Sequence, residues 1–223
     1  MNISMFDILG PVMIGPSSSH TAGAQRIGKA MYMICGKEEV ASVTFHLHGS
    51  FSHTLSGHGT DRALVAGLMG MEASDARIRN SLEIAKAQGM DITFIPDDLG
   101  DVHPNTVKVI AVTKSGKKFT MIGSSVGGGE VEIVEINGTK CKSSGKFPTI
   151  IVNHTDRLGV ISKITAILAH NQVNIVTMSN SRVKKAGLAI TMIETDHEIP
   201  QTVKDELDEL AYIDQVVLIE KFA

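Results

Sequence analysis

The sequence predicts an α+β fold divided into two domains. Helical patterns dominate the first third of the chain, and alternating strand patterns, expected to pair antiparallel, follow up to Ile136. The pattern then starts afresh near Phe147, after a polar and basic segment that is typical of a linker. We therefore expect a first domain over residues 1–138, a linker over residues 139–146 and a second domain over residues 147–223.

The elements of the first domain follow from their hydrophobic periods. Apolar residues at helical spacing predict a helix over residues 21–35, and Gly36 suits the position just after its end. Val43, Phe45 and Leu47 alternate with polar residues, which predicts a half-buried strand. The same two periods predict the remaining elements: helices over 62–69 and 75–88, and strands over 91–95, 107–112, 118–122 and 131–136.

The second domain shows a different order of elements. Its patterns predict strands over 149–152, 173–178, 188–194 and 216–220, with helices over 160–170 and 200–210. The resulting order, β-α-β-β-α-β, is that of the ferredoxin-like arrangement.

Composition excludes several classes of function. The net charge is −3 and tryptophan is absent, so neither a basic face nor a base-stacking platform for nucleic acid is expected. No apolar run reaches the roughly 18 residues that a membrane span needs. The first residues include Asp7 and no basic segment, so a secretory signal is not expected. We expect a cytoplasmic protein that does not bind membranes.

The two cysteines limit the metal chemistry of the chain. Cys35 and Cys141 lie far apart and form no CxxC pair, which argues against a disulfide framework. They are also fewer than the three or four thiolates that normally hold an iron–sulfur cluster.

A cluster of hydroxyl side chains precedes the first predicted helix. Ser19 is the predicted helix cap, and Ser17, Ser18 and Thr21 surround it. Helix amides and hydroxyls together suit a carboxylate or phosphate, and His20 adds a group that titrates near neutral pH. A capped loop without a ligand is the alternative interpretation.

Three further polar clusters lie on predicted loops, over residues 57–61, 103–105 and 124–129. In the first, His58 lies between two glycines, and either Thr60 or Asp61 is expected to cap the next helix. Together the clusters indicate recognition of a small polar molecule, with His20 or His58 moving protons. Histidines could instead hold a metal, although their spacing matches no metal motif. Three other histidines are interpreted as structural: His46, His48 and His53.

Two motifs resemble a known family. Residues 14–21 (IGPSSSHT) and residues 57–61 (GHGTD) closely resemble the iron–sulfur-dependent L-serine dehydratases. The whole chain is similar to the beta subunit of their two-chain form. Its first domain resembles the allosteric-substrate-binding domain shared with some phosphoglycerate dehydrogenases, and its second resembles an ACT domain.

This resemblance implies deamination of L-serine to pyruvate and ammonia. A [4Fe–4S] cluster held by a separate alpha subunit would act as Lewis acid, with no metal ligand on this chain. It implies catalytic roles for His58, Thr60, His20 and His103. The implied substrate-binding residues are Ser17, Ser18, Ser19, Thr21, Gly59, Asn105, Ser124 and Ser125. A stand-alone serine-binding module that regulates a partner enzyme is the alternative.

The resemblance to ACT domains implies a second site. Such domains bind amino acids at the loop after their first strand, usually across a dimer interface. The matching residues here are His154, Asp156, Gly159 and Asn174, and Asp156 could pair with a ligand's ammonium group. Self-association through this domain is expected, and a purely structural or dimerising role is the alternative to ligand binding.

Overall fold

A computed structural model describes residues 13–55, 57–182 and 184–221. The chain divides into two compact units, Met1–Asn137 and Gly138–Phe222. The first twelve residues of the predicted first domain and the last two of the second lie outside the described residues. None of the helices in the described ranges is long and apolar enough to cross a membrane.

The first described element of the first unit is a helix of two parts. A π-helical turn, Ser18–Gly23, continues directly into α1, Ala24–Ile34. Gly36 follows the helix with a φ of 70°, a left-handed conformation that glycine adopts without steric cost. The predicted helix is therefore present but begins earlier than its apolar pattern indicates.

In the described residues, three α-helices and a 3₁₀ turn follow the first strand, β1 (Val40–Leu47). They are α2 (Ser50–His53), α3 (Thr60–Leu68), the 3₁₀ helix Ala76–Asn80 and α4 (Ser81–Ala87). The single helix predicted over 75–88 is thus wrong in its first half. Asp75 caps the 3₁₀ turn by accepting from the Arg77 amide at 2.9 Å, and the Ser81 hydroxyl donates to the Arg62 carbonyl oxygen at 2.8 Å. These bonds fix the chain where the two helical segments meet.

Two glycines let α1 and α3 pack backbone against backbone. A Cβ added at Gly28 would lie 2.1 Å from the Leu64 carbonyl oxygen, and one at Gly67 would lie 1.9 Å from the Gln25 carbonyl oxygen. A larger residue at either position would force the helices apart. This close packing brings the start of α1 next to the start of α3, where the polar clusters lie.

The strands of the first unit lie in the order β2-β1-β3-β4-β5. Their bounds are β1 Val40–Leu47, β2 Asp91–Pro96, β3 Thr106–Thr113, β4 Lys118–Gly127 and β5 Glu130–Ile136. β1 and β2 are parallel, and the other neighbours are antiparallel. Phe45 of β1 is fully buried and stacks on Phe94 of β2 with ring centroids 5.2 Å apart.

The second unit begins with β6 (Thr139–Ser143) and then has the predicted ferredoxin-like order. The elements of that order are β7 (Thr149–Thr155), α5 (Val160–His170), β8 (Ile175–Arg182), β9 (Leu188–Thr195), α6 (Gln201–Asp208) and β10 (Ile213–Ile219). Strands β10-β7-β9-β8 form an antiparallel sheet. Ile150, Ile164, Ile193, Val203 and Val216 belong to its buried core. The predicted α+β fold is confirmed.

The segment predicted as a linker contains β6. Thr139 and Ser143 are buried, while Lys140 and Lys142 between them are exposed. This alternation is a strand pattern built from small polar residues, which a search for apolar alternation overlooks. The Ser143 hydroxyl donates to the buried Glu194 carboxylate at 3.3 Å, so the segment is tied into its unit.

Candidate functional site

The serine cluster forms the start of the π-helical turn. Ser17 is its N-cap, because its hydroxyl oxygen accepts from the His20 amide at 3.3 Å. The prediction of Ser19 as the cap is wrong, since the π-helical turn begins before the apolar pattern does. Ser18 and Ser19 are half-buried in the first turn, and Thr21 is buried.

The His20 imidazole is held on several sides. Its Nδ1 lies 3.2 Å from the Ser17 hydroxyl and its Nε2 lies 3.0 Å from the Ser50 hydroxyl. The Phe51 ring meets it edge-on at 5.5 Å. Burial, together with the nearby His58, lowers the pKa of His20 below its ordinary value. The imidazole is therefore neutral near pH 7.

His58 lies in an exposed turn directly beside His20. The two ring centroids are 5.1 Å apart with an interplanar angle of 80°, and the Thr21 hydroxyl donates to the His58 carbonyl oxygen at 3.4 Å. The His58 ring makes no hydrogen bond within the described parts of the chain. Its nitrogens are thus open to a ligand, unlike those of His20.

Thr60 begins α3, so neither it nor Asp61 is the helix cap that the sequence predicted. Gly59 takes that position with a φ of 70°. The Thr60 side chain is fully buried, and its hydroxyl finds no partner among the described residues. A buried hydroxyl without a partner is costly, so this atom is suited to bind an incoming polar group.

A second hydroxyl without a partner lies where β4 passes the π-helical turn. Ser125 is fully buried, and its Oγ lacks a hydrogen bond within the described ranges. A Cβ at Gly23 would lie 2.1 Å from this oxygen, which shows how closely the turn and the strand approach. The Ser125 amide donates to the Asn105 carbonyl oxygen at 2.9 Å. Asn105 is half-buried, and its Oδ1 likewise has no partner in the described chain.

Ser124 is held differently from its neighbour. Because the Thr106 hydroxyl donates to the His103 carbonyl oxygen at 2.6 Å, the Ser124 hydroxyl is the donor in its 2.7 Å contact with Thr106. Adjacent residues of a strand project to opposite faces, so Ser124 faces away from the π-helical turn. The loop predicted over 124–129 is wrong at its start, since β4 continues to Gly127 with a register shift after Ser125.

His103 lies on the loop before β3. Its Nδ1 accepts from the Asn105 amide at 3.1 Å, while the ring is on an exposed residue. This bond places the remaining proton of a neutral ring on the exposed Nε2.

The structure therefore brings the four predicted clusters together in the first unit. His20 meets His58, Gly23 meets Ser125, and Ser125 bonds to Asn105. Ser50 was not predicted as a site residue, although it lies on the loop shortly after a predicted strand, where functional side chains are often found.

Arg26 was also overlooked. Its guanidinium donates to the Gly129 carbonyl oxygen at 2.6 Å and so holds the glycine-rich turn between β4 and β5. Burial lowers the pKa of Arg26, and the Glu130 charge partly opposes that shift. Arg26 follows Ser19 by about two helical turns, which in a regular helix places both residues on one face. This spacing was the signal in the sequence that could have indicated Arg26.

The histidines interpreted as structural lie outside this cluster of contacts. His46 Nδ1 is 2.9 Å from an Asp97 carboxylate oxygen, and His48 Nδ1 accepts from the Leu99 amide at 3.2 Å. These bonds tie the end of β1 and the residue after it to the loop that follows β2. His53 is exposed at the end of α2.

The predicted residues of the second unit are mostly engaged with their own chain. His154 is buried, with Nε2 2.9 Å from the Thr191 hydroxyl. Asp156 accepts from the Arg182 guanidinium at 2.7 Å and from the Ala186 amide at 3.1 Å. Its bond to Arg182 lowers the pKa of Asp156. Gly159 precedes α5 with a φ of 85°. The side-chain amide of Asn174 donates to the Asp196 carboxylate.

The described residues do not fit an iron–sulfur cluster. They contain no group of three or more histidine, cysteine or acidic side chains that could hold a metal. Cys35 is buried, and burial raises the pKa of its thiol to about 12, so the thiolate that a cluster needs is disfavoured.

Two family models match this chain, one within each unit. A family model described as "Serine dehydratase beta chain" matches residues 4–135, and an ACT domain model matches residues 149–212. A Bacillus subtilis protein, "Probable L-serine dehydratase, beta chain", is 44% identical over 97% of each chain. A Peptoniphilus asaccharolyticus protein, "L-serine dehydratase, beta chain", is 40% identical over 92% of each chain.

A longer relative matches in part. The "L-serine dehydratase" of Streptomyces coelicolor is 35% identical over 59% of this chain, and the match covers 34% of that protein. The two relatives that match more than nine-tenths of the chain and the family models together place this chain in the serine dehydratase beta-chain family, with an ACT domain after the dehydratase unit.

Proposed function

We propose that this chain supplies substrate recognition and proton transfer to an L-serine dehydratase that also needs a separate alpha subunit. In this reaction serine loses its α-proton and its β-hydroxyl leaves as water. The resulting enamine takes up water to give pyruvate and ammonia. The relatives' names support the substrate, and the beta-chain designation supports a partner chain.

The observation that carries the proposal is the contact between His20 and His58. Serine elimination needs a group that accepts the α-proton, and an imidazole of near-neutral pKa suits that task. Both His20 nitrogens face serine hydroxyls, whereas the His58 ring is exposed and open. We therefore assign the acid–base role to His58 and a supporting role to His20.

The buried hydroxyls of Thr60 and Ser125 support a polar substrate. Each is fully buried without a partner among the described residues. Thr60 follows His58 by two residues, and Ser125 Oγ lies against Gly23 of the π-helical turn that carries His20. We assign Thr60 to a catalytic contact and Ser125 to substrate binding. The residues Ser17, Ser18, Ser19, Thr21, Gly59 and Asn105 would complete the binding site around the helix start, where free amides favour a carboxylate.

Two predicted residues receive weaker roles in this proposal. His103 presents its Nε2 at the surface and would contact the substrate from the rim of the site. Ser124 binds Thr106 and would act only by holding the strand beneath Ser125.

The partner alpha subunit would hold the [4Fe–4S] cluster. The described residues of this chain offer no ligand set for the cluster. In the longer dehydratase of Streptomyces coelicolor the match covers only 34% of the protein, so the ligands would lie in the part that this chain does not match.

The ACT domain would associate with a second copy. β8 is at the end of the four-stranded sheet and exposes Val176 and Met178, and exposed apolar side chains on such a strand favour association. Regulation by an amino acid at Asp156 would require the ligand's ammonium group to compete with Arg182.

The test is anaerobic formation of pyruvate from L-serine. The chain is assayed alone and then mixed with a reconstituted alpha subunit. Activity only in the mixture is the expected result. Absence of activity in both, with serine binding to the chain alone, would favour a regulatory serine-binding module instead.

A further inference from the structure

The backbone of Ser50 is anchored where its hydroxyl contacts His20. Its amide donates to the Pro104 carbonyl oxygen at 2.8 Å, and its own carbonyl oxygen accepts from the Thr54 hydroxyl at 2.7 Å. Gly49 before it has a φ of 53°, and a Cβ there would lie 2.6 Å from the Pro104 oxygen. The backbone is thus fixed, and the hydroxyl lies 3.0 Å from His20 Nε2.

The two serine contacts fit a tautomer of His20 in which Nδ1 accepts and Nε2 donates. A neutral imidazole has one N–H donor and one acceptor nitrogen. The Ser17 oxygen already accepts from the His20 amide, so its own proton is available to Nδ1. Nε2 then carries the ring proton and donates to the Ser50 oxygen. Phe51 and His58 contact the ring edge-on and leave it little freedom to rotate.

We infer that Ser50 is a positioning residue, which holds His20 in one tautomer and orientation and thereby aligns His58 for proton transfer. The inference rests on the proposed function, because the alignment matters only if His58 moves a proton. Ser50 also links the loop of His103 and Asn105 to the histidine pair, through its bond to Pro104.

The first test measures the tautomer of the His20 imidazole from its ring nitrogen NMR shifts, without any assay of activity. The full-length chain is labelled with ¹⁵N-histidine, and the two ring nitrogen shifts of His20 are assigned with a His20→Gln variant. We expect distinct Nδ1 and Nε2 shifts in the wild type and averaged shifts in Ser50→Ala. Ser50→Thr should restore the distinct shifts. Ser52→Ala, on the same helix, should leave them unchanged. Identical shifts in Ser50→Ala and wild type would overturn the inference.

The second test measures turnover in the complex with the alpha subunit. We expect Ser50→Ala to lower kcat by about 10²-fold, the scale of a small misplacement of a reacting group, with little change in KM. Ser50→Thr should recover most of the rate, and Ser52→Ala should match wild type. Urea unfolding of each variant checks that the fold is intact.

The outcomes separate the two proposals. Averaged His20 shifts with normal turnover in Ser50→Ala would refute the positioning role. An inactive wild-type complex would instead refute the proposed function, while the nitrogen shifts would still decide whether Ser50 holds His20.

Discussion

The imidazole of His20 meets that of His58 edge-on, with ring centroids 5.1 Å apart and planes inclined by 80°. The same two histidines differ in their surroundings, because His20 is half-buried between two serine hydroxyls and His58 is exposed. At this separation a positive charge on one ring disfavours a charge on the other. The pair is therefore suited to keep one neutral imidazole available as a base.

Replacing His58 by alanine should abolish turnover in the assembled enzyme and leave assembly intact. General acid–base groups contribute roughly 10²–10⁴-fold to a rate. Pyruvate formation measures the loss, and gel filtration measures assembly. His53→Ala is the matched control, since His53 is also exposed but belongs to α2. Turnover near that of wild type in His58→Ala would remove His58 from the mechanism.

The lowered pKa of His20 should make the stability of the first unit depend on pH. Because the unfolded chain binds this proton more readily, the free energy of unfolding should fall as the pH drops below the ordinary histidine pKa of 6.5. It should level off below the lowered folded-state pKa. Urea unfolding at a series of pH values tests this dependence.

His20→Gln provides the comparison for that measurement. The variant should show a weaker fall in stability between neutral and mildly acidic pH than the wild type. Parallel curves for the two proteins would show that His20 does not keep a lowered pKa in the folded chain.

A methyl group at Gly23 should separate the π-helical turn from β4. The added Cβ would lie 2.1 Å from Ser125 Oγ, and overpacking of this kind costs about 1–3 kcal/mol. Urea unfolding of Gly23→Ala measures the loss. In a Ser125→Gly background the loss of stability should shrink, because the Oγ and the Cβ of Ser125, at 2.1 and 2.7 Å from the added Cβ, are both absent.

Gly57→Ala is the control for that substitution. The nearest atom to its added Cβ is the Thr54 carbonyl oxygen at 3.9 Å, so the stability should change little. Equal losses in Gly23→Ala and Gly57→Ala would mean that the turn and the strand do not touch as described.

Local periodicity was sufficient to predict most elements and the α+β fold. In the ferredoxin-like unit β7, β9 and β10 bury consecutive or alternate apolar residues, so these strands could be inferred from the chain alone. β8 is largely exposed, and it spans Ile175–Arg182 rather than the predicted 173–178. The strand Thr139–Ser143 was missed because its buried positions are small polar residues.

The site was predictable in its residue types but not in its contacts. Hydroxyls and histidines on loops indicated a polar site, yet the split between Ser124 and Ser125 depends on which face of β4 each occupies. Ser50 was missed because its partner, His20, lies thirty positions away in the sequence. Which distant residues contact each other depends on tertiary packing, and a local sequence pattern carries no information about that packing.

Cys35 should resist alkylation in the native chain. Burial raises the pKa of its thiol to about 12, and the thiolate is the reactive form. Iodoacetamide at mildly alkaline pH should label Cys141, which is half-buried, well before Cys35. Mass spectrometry of the peptides identifies the labelled residue, and urea should make both thiols reactive. Equal labelling rates in the native chain would contradict the burial of Cys35.

The ion pair between Asp156 and Arg182 should govern any response of the ACT domain to an amino acid. The Asp156 carboxylate already accepts from the Arg182 guanidinium and the Ala186 amide, so a ligand's ammonium group must compete with them. Removal of the competitor in Arg182→Ala should therefore strengthen the response to serine. Removal of the carboxylate in Asp156→Ala should weaken the response or alter dimerisation while the chemical step persists.

Two measurements on the assembled enzyme separate these effects. The serine dependence of pyruvate formation reports the regulatory response, and sedimentation reports the oligomeric state. Lys185→Ala serves as the control, because Lys185 is an exposed cation in the same turn as Ala186. If Asp156→Ala lost all activity with assembly intact, the residue would belong to the chemistry rather than to regulation. If Arg182→Ala and Lys185→Ala behaved alike, the pair would not compete with a ligand.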